Sequence, residues 1–169
     1  MEHDRTAGAK SSFLGYHPRW APPPYPAVSF VVGEADPADL RLIETTERGL
    51  AAGIEAARAG NRLGDVGHAI SLVGRGAGYG LVDGHGGHGI GRAMHEDPHV
   101  PNEARPGRGL RLRPGMAFAI EPMFVLGGSD DYRHGEDGWT VHTADGSRAA
   151  HAEHTIVITE EGPRILTTL

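Results

Sequence analysis

The sequence has no cysteine and a single lysine, Lys10, in 169 residues. Without cysteine there are no disulfides, no thiolate metal sites and no cysteine nucleophile. Positive charge is scarce: 16 Lys and Arg stand against 22 Asp and Glu, and the formal charge is -6. That balance leaves no electrostatic footprint for nucleic acid. No apolar run approaches the roughly 20 residues needed to cross a membrane. Met1 to Lys10 is charged and polar and lacks the apolar centre of a signal peptide. The expected location is therefore the cytoplasm, with neither nucleic acid nor membrane as partner.

Glycine is abundant, at 26 residues, beside 12 prolines and 11 histidines. So much glycine and proline describes a turn-rich globular chain and not a helical bundle. The length suits one domain with a modest core. Four histidines fall between His85 and His99. That clustering points to metal or proton chemistry.

Residues 1–12 read as a disordered tail. Prolines at 18, 22, 23, 24 and 26 forbid a helix or a central strand and make an extended connector. The boundary is placed between 28 and 29, with 1–28 a tail and linker and 29–169 the folded domain. Ser29 to Val32 is a short strand. A helix follows, with Asp36 as N-cap and Pro37 as first helical residue. Leu40, Ile43, Leu50, Ile54 and Ala57 form its apolar face, and Gly60 stops it. Gly49 and Gly53 either weaken it or permit close packing. A second helix begins near Asp65, with Val66, Ala69, Ile70 and Val73 inward. Strands are expected at Met116–Glu121, Gly138–Thr143 and Ala149–Thr159, the last two joined through Asp145-Gly146. Helices followed by antiparallel strands give an α+β class.

Three segments carry chemistry. In Gly87-His88-Gly89-Ile90-Gly91 the glycines leave the His88 imidazole unobstructed, and His95 lies seven residues on. Glu121 ends an apolar strand before Pro122, where burying a carboxylate needs a cation or donors. Glu153 stands at the start of the β-branched strand Thr155–Thr159. One histidine and two strand carboxylates form a three-ligand set with an open position, suited to Mn, Fe, Co or Zn. The other readings are a structural His88 in a glycine loop, and Glu121 and Glu153 paired with arginines such as Arg92 or Arg111. His85, His99, His134, His142 and His151 read as surface residues. The glycine segment precedes neither a lysine nor a clear helix, which disfavours a nucleotide loop. No Gly-x-Ser-x-Gly elbow is present.

Taken in order, Gly87-His88-Gly89-Ile90-Gly91-Arg92-Ala93-Met94-His95-Glu96-Asp97-Pro98, then Leu112-Arg113-Pro114-Gly115-Met116 through Ile120-Glu121-Pro122-Met123, then Asp137-Gly138-Trp139-Thr140-Val141, then Glu153-His154-Thr155 resemble the type I methionine aminopeptidases. The resemblance runs from about Ser29 to Leu169, and Ser12 to His17 resembles an earlier family segment. It implies a pita-bread α+β fold, a curved antiparallel sheet with helices on its outer face. It also implies a two-metal site that removes the initiator methionine from nascent proteins. By that resemblance His88 and Glu121 are ligands of the first metal, and Glu153 bridges both metals. Glu121 also shuttles the proton of the metal-activated water. His95 hydrogen-bonds the scissile peptide, and Trp139, Met94 and Tyr16 line the methionine pocket.

The family pattern breaks between Leu14-Gly15-Tyr16-His17 and Phe30-Val31-Val32-Gly33-Glu34. Only the proline-rich stretch 18–29 stands where the family has two strands, a catalytic histidine and both aspartate ligands of the second metal. No aspartate occurs between Asp4 and Asp36, and Tyr25 holds the place of the second. His151 replaces a family glutamine, and Ala152 a bulky aromatic. The expectation is a truncated member holding one divalent ion at most, acting weakly on peptide or nascent-protein N-termini, as a monomer or homodimer. The alternatives are an inactive module that binds a peptide or protein, and a remnant without function.

Overall fold

The computed structural model describes residues 10–13, 26–138 and 140–167. Tyr16 and Trp139, two of the three expected pocket residues, lie outside the described residues, as does most of the connector. The chain folds as β1 (Lys10–Phe13), β2 (Ala27–Phe30), α1 (Pro37–Ala56), α2 (Leu63–Gly76), β3 (Gly80–Leu81), β4 (Gly86–Gly89) and β5 (Glu96–Pro101). It continues through β6 (Ala117–Ile120), β7 (Met123–Val125), β8 (Tyr132–His134), β9 (Val141–Thr143), β10 (Ala149–His151), β11 (His154–Ile158) and β12 (Pro163–Ile165). The main sheet has the order β12-β11-β6-β4-β5, a three-stranded sheet the order β10-β7-β3, and two hairpin-like pairs join β1 to β2 and β8 to β9. All of these pairings are antiparallel. The α+β expectation holds.

The first helix begins as its sequence requires. Asp36 accepts a 2.8 Å hydrogen bond from the Ala38 amide, and Pro37 takes the first helical position. Its buried face is rotated from the expected one. Leu40 is 51% exposed, whereas Asp39 and Leu42 point inward. The inward Asp39 is met by Arg148 Nε at 2.6 Å. Gly49 and Gly53 serve close packing. A Cβ at Gly49 would come within 2.7 Å of Phe124, and one at Gly53 within 2.7 Å of Ile70. In α2, Asp65 accepts from the Arg62 amide and so fixes the first turn. Leu42, Leu50, Ile54, Val66 and Ile70 of the two helices meet Phe118, Ile120, Phe124, Ile156 and Ile158 of the sheets in one core.

Lys10–Phe13, in the stretch expected as a tail, pairs with β2, Lys10 opposite Phe30 and Phe13 opposite Ala27. The exposed edge of β2 offers unpaired backbone groups that a neighbouring segment can satisfy. β2 itself begins at Ala27, two residues before the expected boundary at 29. The single strand expected at Ala149–Thr159 is two strands. β10 joins the three-stranded sheet, β11 joins the main sheet, and the chain changes sheets at Ala152-Glu153. A matching break separates β6 from β7 at Glu121-Pro122, where proline supplies no amide for the ladder. The Ala152 amide donates to the Pro122 carbonyl at 3.3 Å, so the two corners lie side by side.

Candidate metal centre

Both corners carry a glutamate, and β4 carries a histidine towards them. The glycines around His88 are there for lack of room. A Cβ on Gly87 would sit 2.0 Å from the Ala119 carbonyl oxygen, and one on Gly89 2.2 Å from that of Asp97. The strand is thus pressed between β6 and β5. His88 Nδ1 lies 2.9 Å from the Gly89 carbonyl oxygen. A carbonyl only accepts, so Nδ1 bears the proton, and in the neutral imidazole the lone pair is on Nε2. That lone pair faces Glu121, with 3.7 Å between Nε2 and Oε1.

Glu121 leaves β6 where the strand ends, and the Asn102 side chain holds its carbonyl oxygen with a 3.0 Å hydrogen bond. Glu153 is buried and exchanges backbone hydrogen bonds with Ala27. One ligand atom each from His88, Glu121 and Glu153 lies within 4.8 Å of the other two. Burial, and next the neighbouring Glu121 carboxylate, push the Glu153 carboxyl up to about 8. Two carboxyl groups enclosed beside an imidazole are a set in which full ionisation is disfavoured. A divalent cation among them would offset the repulsion and the desolvation together. One nitrogen and two oxygens fit such an ion.

The arginine-pairing alternative fails. Among the described residues the ion-pair neighbours of Glu121 are histidines, and no arginine pairs with Glu121 or Glu153. Arg111 instead bridges to Arg62 through the backbone. His95 is exposed, but its ring lies 4.4 Å from that of His88, tilted by 53°. It stands at the rim of the site. Met94 is 41% exposed on the turn before β5.

The sequence reading misplaced His151. Expected at the surface, its side chain is only 17% exposed, and Nε2 lies 3.2 Å from Glu121 Oε2. The spacing held a signal: residues two apart at a strand end share a face, and His151 is two before Glu153. Asn102 gave none, since a buried amide that braces a corner has no sequence pattern.

Beside Glu153 a cavity of about 430 Å³ opens between α1 and the β10–β11 corner. Leu50, Ala51, Ile54, Ala152 and Ile165 make its wall largely apolar.

Comparison with known proteins gives this site a lineage. The profile of metallopeptidase family M24 matches residues 27–160. Methionine aminopeptidase 1 of Mycobacterium tuberculosis is 53% identical over 147 residues, covering 83% of this chain and 55% of the relative. Methionine aminopeptidase of Clostridium acetobutylicum is 48% identical over 141 residues, covering 83% and 56%. Among solved structures, methionine aminopeptidase of Thermotoga maritima superposes with a TM-score of 0.83 at 45% identity, covering 86% of this chain and 58% of that one. Dipeptidase PepE of Mycobacterium ulcerans gives 0.67 at 26%, covering 94% and 37%. The chain thus spans about half the length of the curated relatives it matches. Its fold is the pita-bread fold of these neighbours in shortened form, and by profile and identity together the chain belongs to metallopeptidase family M24.

Proposed function

We propose that the chain is a methionine-aminopeptidase-like metalloprotein, with one divalent ion, Mn, Co, Fe or Zn, held by His88, Glu121 and Glu153. The convergence of these three donors carries the reading. The two aspartates that the family resemblance assigns to a second metal have no counterpart, because no aspartate occurs between Asp4 and Asp36. The site is therefore mononuclear, and its activity weaker than a complete site would give.

A bound divalent ion supplies Lewis acidity, polarising a peptide carbonyl and easing deprotonation of a nearby water. Around it the chain's own groups divide the work. His88, Glu121 and Glu153 would hold the ion, and Glu121 would also accept the proton of the attacking water and pass it to the departing amine. His95 at the rim hydrogen-bonds the scissile peptide. Met94, with Tyr16 and Trp139, shapes the pocket for the first side chain. Without a second cation to clamp the substrate and orient the water, misplacement costs rate even with every remaining group present. The substrate is the N-terminus of a peptide or nascent protein in the cytoplasm, met by a monomer or homodimer.

The second reading is a module that binds such a peptide without cleaving it. The apolar cavity beside Glu153 favours it, because it offers contact area that needs no metal.

Hydrolysis of a Met-Ala-Ser peptide with Mn, Co, Fe or Zn added in turn tests both readings, with Glu121→Ala as control for contaminating host enzyme. Methionine release that vanishes in Glu121→Ala establishes the enzyme. Folded protein that releases none with any metal eliminates the aminopeptidase and leaves the binding module or a remnant without function.

A further inference from the structure

The Glu121 carboxylate has a different neighbour on each oxygen. Oε1 faces His88 Nε2 at 3.7 Å, and Oε2 faces His151 Nε2 at 3.2 Å. With its proton on Nδ1 beside the Gly89 carbonyl, the neutral His88 imidazole carries its lone pair on Nε2. The cation side of Glu121 is therefore Oε1. On the other side, His151 Nε2 is buried and has no aligned hydrogen-bond partner among the described residues. A buried polar nitrogen in that state is costly, and Oε2 is the acceptor beside it.

The backbone holds His151 firmly in this place. Ser29 Oγ donates to the His151 carbonyl oxygen at 2.8 Å and accepts from the His151 amide at 2.9 Å. On its other side β10 pairs His151 with Met123, two residues past Glu121. The imidazole is thus fixed relative to the corner that carries the glutamate.

We propose that His151 is a positioning residue of the metal centre, donating from Nε2 to Oε2 of Glu121 and thereby presenting Oε1 to the cation. This rests on the metal-site reading above. Ligands of this kind are oriented by outer hydrogen bonds. Glutamine also carries a donor at the end of its side chain, so the proposal assigns His151 a donor's task and not a ligand's.

The test is calorimetric titration of the whole chain with Mn(II) at neutral pH. The variants are His151→Gln, His151→Leu and His151→Ala, with Glu121→Ala as the blank. Thermal melts of the metal-free proteins establish folding, and the visible spectrum of the Co(II) forms reports the ligand set. The expected result is Mn(II) binding weakened about 10- to 100-fold in the variants without a donor, restored to within about threefold in His151→Gln. The Co(II) spectrum of His151→Gln should match that of the unaltered chain. Equal affinity in all His151 variants overturns the proposal. So does failure of glutamine to rescue; a changed Co(II) spectrum would then make His151 a ligand. An unaltered chain that binds no cation removes the metal-site reading and this one with it.

Discussion

Ala27 and Glu153 exchange two backbone hydrogen bonds, 3.3 Å from the Ala27 amide and 2.9 Å from the Glu153 amide. Two residues along, the Ser29 hydroxyl donates to the His151 carbonyl and accepts from the His151 amide. The first strand after the proline-rich connector therefore braces the corner that supplies both a candidate ligand and its neighbour. Ser29→Ala leaves two half-buried backbone groups without these partners, at a cost of about 1–3 kcal/mol. We expect a lower melting temperature and weaker Mn(II) binding together, both recovered in Ser29→Thr. A variant as stable as the original with unchanged affinity would show that β2 merely lies alongside the site.

Glu153 gives the metal-free protein a pH signature. Its folded-state carboxyl is raised from 4.5 to about 8 by burial and then by Glu121. A raised carboxyl means that the charged form disfavours the fold. Its contribution is fully present below about 4.5, and is lost as pH rises through about 8. His154, pushed down by burial, works the other way, its contribution lost as pH falls. The quantity to read is thus the difference between the original chain and Glu153→Gln. Thermal melts without metal should converge at mildly acidic pH and separate towards pH 8, Glu153→Gln becoming the more stable by up to a few kcal/mol. Saturating Mn(II) should reverse the order at high pH, because it stabilises only the chain that keeps the carboxylate. Parallel profiles would remove Glu153 as a buried titrating group.

The candidate ligands were legible because each stands out against its local pattern. A carboxylate before Pro122, another at a β-branched strand, and a histidine between glycines are all anomalies in an apolar context. The start of α1 was legible for a similar reason, since capping is local chemistry. What escaped depends on distant partners. The inward turn of Asp39 requires Arg148, 109 positions away by number (148 − 39). The division of residues 149–159 between two sheets requires Pro122 and Ala27 to take the backbone bonds at the corner. His151 looked like a surface histidine because only the fold brings Glu121 to it.

At the opposite end of α2, Arg75 bridges Asp130 and Glu103, and Asp130 also accepts from the Leu81 amide. The Arg75 hydrogen bond, followed by that of Leu81, holds the Asp130 carboxyl below its ordinary range. The sign is the reverse of that for Glu153. The stabilisation is present above the ordinary carboxylate range and is lost as pH falls through the depressed value. The side chains are more than a third exposed, so solvent screening keeps the contribution near 1 kcal/mol. Asp130→Asn should melt lower than the original at neutral pH and converge with it in acid.

Gly87 gives the sharpest separation of local geometry from ligand chemistry. It is buried in β4, immediately before His88. An added Cβ would stand 2.0 Å from the Ala119 carbonyl oxygen and 2.8 Å from its carbon. Both atoms belong to the backbone of β6, which has no rotamer by which to yield. Relief can come only from parting β4 and β6, the strands that carry His88 and end at Glu121. Gly87→Ala should therefore cost on the order of 3 kcal/mol in stability, as overpacking against a rigid neighbour does. It should also weaken Mn(II) binding with every ligand still in place. Gly84→Ala is the useful contrast, because Gly84 has open space around it and a left-handed φ of +66°. There the penalty is conformational, about 1 kcal/mol, and affinity should hold. If Gly87→Ala loses stability but binds Mn(II) as the original chain does, the spacing between β4 and β6 does not set the distance between His88 and Glu121.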